Sequence, residues 1–266
     1  MGDLLIRWRA ALEEQSPVAV ATVIEGPGVG GKILVAPEDH VGGAGNGDLD
    51  RAIIEAARGM LEGGRTGTIH LGPRGQRRME DVAVFVQSFS PPPQMYVFGA
   101  IDFASAVARI GKLMGYRVTV CDARPVFATR ERFPTADEVV VAWPDELLKT
   151  APVDRRTVIC VLTHDPKFDV PVLVQALKTE AGYIGAMGSR RTHNNRTARL
   201  KEEGITDEQL SRISSPIGLD IGARTPEETA VAIAAEIIAL RTGHSGGRLS
   251  GRSGPIHAAE AAARRE

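Results

Sequence analysis

MYVFGAIDFASAVARIGKLMGYRVTVCDAR, residues 95–124, has the outline of a β-α-β unit. An apolar strand, Met95 to Phe98, runs into Gly99, and a helix follows with Phe103, Ala106, Val107, Ile110 and Met114 at helical spacing. A second strand, Arg117 to Cys121, ends at Asp122. The same outline underlies the dinucleotide fingerprint G-x-G-x-x-G/A, whose second glycine lets backbone approach a pyrophosphate. Here that position is Ile101 and the next is Asp102. A β-branched side chain resists positive φ and projects where the phosphates would lie. Asp102 brings a carboxylate to the helix N-terminus, where it is placed to cap the helix, and it would repel a phosphate at about 4 Å by roughly 4 kcal/mol at a dielectric of about 20. Ala104, at the third position, still allows close packing of helix on strand. Asp122 stands at the spacing of a ribose-binding acid.

Working outward, apolar strand segments recur at Glu138 to Val141, Thr157 to Leu162 and Tyr183 to Met187, with helical or loop segments between. That alternation predicts a Rossmann-like, doubly wound parallel sheet over 95–242. Thr225-Pro226-Glu227-Glu228 is a capping box with proline at the first helical position, opening a helix to about Arg241. Its length and alanine content suggest a homodimer. A tail, 243–266, rich in glycine and serine, reads as flexible.

Before the alternating region, SPPP breaks any strand and marks a linker, taken as 91–94. Residues 1–90 read as a small mixed α+β domain: a helix near Leu4 to Glu14, strands at Val18 to Glu25, Lys32 to Ala36, Arg65 to Leu71 and Val82 to Phe89, and a helix from Leu49 to Leu61. The segment HVGGAGNGD before that helix reads as a glycine-rich loop. Asp48, Asp50 and Glu55 suit the first turns of a helix, where acids complement its dipole, as well as they suit a cation.

The chain has 266 residues, 43% of them hydrophobic, and a formal net charge of −1, which gives no cue for nucleic acid. No apolar run approaches a membrane span and the N-terminus lacks a signal peptide's apolar centre, so a cytoplasmic protein is expected. Cys121 and Cys160 lie inside strand-like runs and read as core. The histidines are scattered, so no structural metal is expected.

In open α/β sheets ligands gather at the carboxyl ends of the strands, and the polar clusters fall there. Asp122-Ala123-Arg124-Pro125 follows the second strand and Glu131-Arg132-Phe133-Pro134 comes soon after. Thr163-His164-Asp165-Pro166 follows the fourth, and Gly188-Ser189-Arg190-Arg191-Thr192 the fifth. In the last, a glycine, a hydroxyl and two arginines ahead of a helix supply backbone donors and bidentate guanidiniums suited to phosphate; surface ion pairs are the alternative. His164 has the chemistry of an acid, a base or a phosphate donor, or of a link between two turns. The candidate ligand-binding residues are Gly99, Ala100, Asp122, Arg124, Thr163, His164, Asp165, Gly188, Ser189, Arg190 and Arg191. No nucleophile-base pair is evident, and no catalytic residue is assigned.

FGAIDFASAVARIGKLMGYRVTVCDAR, ERFP, LTHDPKFDVPVL, YIGAMGSRRT and PIGLDIGARTPEETAVAIAAEI, in that order, closely resemble the XdhC/CoxF family of accessory proteins for molybdenum hydroxylases such as xanthine dehydrogenase and carbon monoxide dehydrogenase. The resemblance implies an XdhC/CoxI-type N-terminal domain and a Rossmann domain. It also implies binding of molybdenum cofactor (molybdopterin) or a nucleotide (FAD or NAD(P)), protection of the cofactor during sulfuration and its transfer to an apo molybdenum hydroxylase, with a cysteine desulfurase as a further partner. Three departures accompany it. Asp48 stands where the family has a cysteine, Arg78 where it has a second, and Ile101-Asp102 where it has glycine and histidine. A carboxylate does not replace a soft thiolate. Two other readings stay open: an NAD(P)- or FAD-dependent oxidoreductase, drawing on the fold and Asp122, and a non-catalytic scaffold paralogue, favoured by the missing cysteines.

Overall fold

The structure is a computed structural model that describes residues 2–14, 16–76 and 79–251. It divides into two compact units, Met1–Pro92 and Pro93–Glu266.

The first unit runs α1 (Gly2–Glu13), β1 (Val18–Glu25), β2 (Lys32–Val35), β3 (His40–Gly43), α2 (Gly47–Glu62), β4 (Gly67–Leu71) and β5 (Val82–Phe89). The strands form an antiparallel sheet in the order β3-β2-β1-β5-β4. In α2, Leu49, Ile53, Ala57 and Leu61 recur every four residues and bury one stripe against Ala21, Val23, Ile33 and Val84 of the sheet. Asn46 caps this helix by accepting the Asp48 amide. The segment HVGGAGNGD is not all loop, because its first four residues form β3. Gly42 there has φ of 101°, and a Cβ on it would collide with the Lys32 carbonyl oxygen, so glycine is what lets this strand pair with β2. Asp50 turns back to accept the Ala44 amide at 2.7 Å, and Asp48 faces Arg51 at 3.6 Å. Arg78 lies outside the described residues.

The second unit runs β6 (Gln94–Phe98), α3 (Asp102–Leu113), β7 (Arg117–Asp122), β8 (Glu138–Val141), α4 (Pro144–Thr150), β9 (Val158–Val161), α5 (Pro166–Leu177), β10 (Tyr183–Ala186), α6 (Arg190–Glu202), α7 (Asp207–Leu210), β11 (Ile213–Ser214) and α8 (Pro226–Thr242). Its six strands are parallel, in the order β11-β10-β9-β6-β7-β8. The central strands are continuous apolar runs because helices cover both faces. Alternate residues of β6 serve the two layers. Met95 and Val97 pack with Ala104 and Val107 of α3 and Ile233 of α8, while Tyr96 and Phe98 pack with Leu148 of α4, Leu173 of α5 and Leu200 of α6. The sixth strand, β11, is too short to carry a pattern of its own. The capping box of α8 is formed, with Gly243 left-handed at its end. Of the tail, residues 252–266 fall outside the described residues, and Leu249–Gly251 form a 3-10 turn.

Candidate functional site

Strand order reverses between β6 and β9, and the loops leaving these two strands flank the switch point where open α/β sheets receive ligands. The loops touch. Gly99 has φ of 101°, and a Cβ on it would lie 2.5 Å from Thr163 Cγ2 and 2.9 Å from the Thr163 nitrogen. Ile101, extended at φ −94°, is the N-cap of α3 and makes no side-chain cap hydrogen bond. Asp102 therefore does not cap the helix as its position suggests. It opens the first turn, exposed, and meets Arg132 Nη2 at 3.4 Å. Arg132 also donates through Nη1 to the Ala100 carbonyl at 3.0 Å and the Phe127 carbonyl at 3.3 Å. The cluster Glu131-Arg132-Phe133-Pro134 thus closes over the loop, anchored by buried Phe133. A cavity of about 310 Å³ beside it carries both signs, with Asp102 and Glu227 facing Arg109 and Arg132.

Asp122, at the end of β7, is only 2% exposed. Its Oδ2 accepts the Ala100 amide at 2.9 Å and Arg124 Nη2 at 2.8 Å; its Oδ1 accepts the Arg124 amide and Nε, both at 2.9 Å. Burial alone would raise this carboxyl, but the Arg124 guanidinium and the two amides outweigh it and hold it below the ordinary carboxylate range. Arg124 lies over the Phe127 ring at 4.4 Å. An acid so engaged orders the loop, and a ribose hydroxyl would have to displace one of these donors.

The ends of β9 and β10 bring a second group together. Thr163 is buried and hydrogen-bonds Asp169 of α5; Asp165 caps α5 through the Lys167 amide. Asp169 pairs with Arg196 of α6 at 2.8 Å, both side chains under 5% exposed. Burial raises the Asp169 carboxyl to about 6, against the pull of Arg196. Arg196 Nη2 also donates to the Met187 carbonyl at 2.8 Å and Nη1 to Ser215 Oγ at 3.2 Å. Ser189 caps α6, accepting the Thr192 amide at 3.2 Å, and Gly188 precedes it at φ of 151°. Between the start of α5 and the face of α6 lies a cavity of about 230 Å³, lined among others by His164, Asp169, Arg191, Asn195, Arg196 and Arg199.

Of the expected residues, Gly99, Ala100, Asp122 and Arg124 thus share one side of the switch point. Thr163, His164 and Asp165 lie on the other, with Gly188, Ser189, Arg190 and Arg191 on the neighbouring strand end. His164 and Arg191 reach the arginine cavity; Ser189 and Arg190 are exposed and do not line it. Sequence reading missed Asp169, Asn195, Arg196 and Arg199. The spacing of Arg191, Asn195 and Arg199 at every fourth residue was the available signal.

A model of the XdhC Rossmann domain matches residues 95–237, and one of the XdhC and CoxI family matches residues 11–72. The chain belongs to the XdhC family. Among XdhC-like relatives, it resembles a probable xanthine dehydrogenase subunit from Bacillus subtilis, 34% identical over 158 residues, covering 59% of this chain and 46% of that protein. It also resembles the molybdenum cofactor insertion chaperone PaoD of Escherichia coli, 28% identical over 157 residues, covering 59% and 43%. The chain spans about half the length of the curated relatives it matches. A crystal structure titled a xanthine dehydrogenase from Bacillus halodurans shares the fold, with a TM-score of 0.53 at 20% identity over 91% of this chain and 97% of that one.

Against the ligands associated with XdhC relatives, the residues divide. The cationic lining of the α5-α6 cavity fits a phosphate-bearing end. Among the described residues no thiol is offered to a soft metal end: both cysteines are buried, with thiols pushed up to about 12 by burial. Among the described residues no three of His, Cys, Asp and Glu gather as a metal site, and no helix is long and apolar enough to cross a membrane.

Proposed function

We propose that this XdhC-family protein is an accessory factor in the maturation of a molybdenum hydroxylase, a cytoplasmic carrier that holds molybdenum cofactor, or a nucleotide, at the carboxyl edge of its parallel sheet and passes it to the apoenzyme. The observation that carries this reading is the state of the β6-α3 loop. Arg132 grips the Ala100 carbonyl, Asp102 faces the mouth, and Asp122 is spent on Ala100 and Arg124. Such a loop is a poor seat for the pyrophosphate of NAD(P) or FAD, which weighs against hydride chemistry and for a carrier. The family membership and the name of the insertion chaperone among the relatives support the same direction.

In this reading Thr163, His164 and Asp165 at the end of β9, with Gly188, Ser189, Arg190 and Arg191 at the end of β10, bind and orient the ligand. Gly99, Ala100, Asp122 and Arg124 form a rigid wall opposite them. When bound, molybdenum cofactor supplies the redox centre for the client enzyme; this chain's residues only hold and release it. A scaffold reading, in which the chain docks on the client without ligand, is favoured by Asp48, exposed on α2 at the position where the family resemblance implies a thiol.

The test is to produce the hydroxylase from the same genome with and without this protein and to measure molybdenum content and specific activity of the purified enzyme. Both should fall when the protein is absent and return when it is restored. Equal molybdenum content in the two preparations would remove the maturation reading.

A further inference from the structure

The α5-α6 cavity is organised beyond what a polar strand end requires. Arg191, Asn195 and Arg199 occupy one face of α6 at successive turns, and Arg196 closes the floor. The first turn of α6 holds no acid, and among the described residues neither the Arg191 nor the Arg199 side chain has an ion-pair partner. The lining carries one carboxylate, Asp169, and it is already shared between Arg196 and Thr163. Three guanidiniums against one carboxylate leave two positive charges around a small volume. Like charges crowded on one helix face oppose folding unless something neutralises them.

Arg196 adds an independent observation. Its side chain is 4% exposed and fixed by Asp169, Met187 and Ser215, yet its Nε is buried with no hydrogen-bond partner among the described residues. A buried charged donor left unpaired is costly, and an anion held beside the guanidinium would offset part of that cost by charge. Guanidiniums suit a tetrahedral oxyanion because their paired N–H groups match its oxygens. Asn195 and His164 supply further polar edges, and Pro166 with Val170 supplies an apolar lip for whatever carries the anion.

We infer that the cavity lined by Arg191, Asn195, Arg196, Arg199 and His164 is a binding site for the dianionic phosphate of a small phosphate monoester. The inference rests on the carrier reading above and names the group held. It places that group between α5 and α6, away from the α3 N-terminus where a dinucleotide fold would put it. The site is tested directly by anion binding, so it can fail while client maturation stands, and maturation can fail while the site stands.

The experiment is calorimetric titration of the full chain, in phosphate-free buffer at low ionic strength, with inorganic phosphate, cytidine 5′-monophosphate and cytidine. The wild type should bind phosphate and the nucleotide saturably at one site and should not bind cytidine. Arg199→Ala should weaken both by about tenfold or more, since it removes a charged donor from an exposed helical position that alanine tolerates well. Arg199→Lys should keep part of the affinity. Lys201→Ala, which removes the same charge outside the cavity lining, should stay within about twofold. Nucleotide binding without phosphate binding would show that the base is read instead, and would overturn the inference. So would absence of saturable phosphate binding, or equal losses in Lys201→Ala and Arg199→Ala.

Discussion

The Asp169 carboxylate and the Arg196 guanidinium meet at 2.8 Å with both side chains almost wholly out of water, tying α5 to α6 beneath the arginine cavity. Removing one partner strands the other charge. Asp169→Ala should therefore cost about 3–5 kcal/mol, read as a fall in the denaturant midpoint. The double change Asp169→Leu with Arg196→Met should be clearly less destabilising than the sum of the two single losses. Additive losses would mean that the two side chains are not coupled.

Two buried aspartates give pH effects of opposite sign. Burial raises Asp169 from its ordinary 3.8 to about 6, so the folded state holds this proton better than the unfolded chain. Its contribution to stability is full below 3.8 and is lost as pH rises through about 6, an effect of order 3 kcal/mol. Asp122 lies below its ordinary 3.8, so its contribution is present above that value and is lost as pH falls through the folded value. Unfolding midpoints followed from about pH 3 to 8 should show wild type losing ground to Asp169→Asn as pH rises, and to Asp122→Asn as pH falls. Parallel trends in the two comparisons would contradict the assignments.

Gly99 sits against Thr163 where no side chain fits. Gly99→Ala should cost about 2 kcal/mol or more through positive φ and the clash, measured by thermal unfolding. A neutral result would mean the two switch-point loops can separate at no cost.

If Ile101 and Asp102 block the β6-α3 loop, Ile101→Gly with Asp102→His should bind NADH or FAD at least about tenfold more tightly than the wild type, followed by fluorescence. Unchanged affinity would leave Arg132 and the engaged Asp122 as the sufficient obstacle.

The alternation of apolar strands with helices from Met95 onward was plain because strands buried on both faces are continuous apolar runs, and the Thr225–Glu228 cap of α8 was plain because capping is local chemistry. What escaped depended on partners distant in the chain. Strand β3 contains two glycines and is defined by pairing with β2; β11 has two residues and is defined by β10. Asp102 had the right residue type to cap α3, but Ile101 took the position and Arg132 took the carboxylate. The arginine cavity was half legible. Arg191 and His164 stood at strand ends, whereas Arg196 and Arg199 lie further along a strongly polar helix, and only α5 packing beside α6 turns one of its faces into a lining.

Whether this chain carries a phosphate-bearing ligand at the carboxyl edge of its sheet is decided by native mass spectrometry of the full chain mixed with molybdenum cofactor freshly released from a hydroxylase. The wild type should form a one-to-one complex, and that complex should be lost when Arg191 and Arg199 are both replaced by alanine. No complex with the wild type would contradict the carrier reading, and a complex equally populated in the double variant would contradict the arginine cavity as its seat.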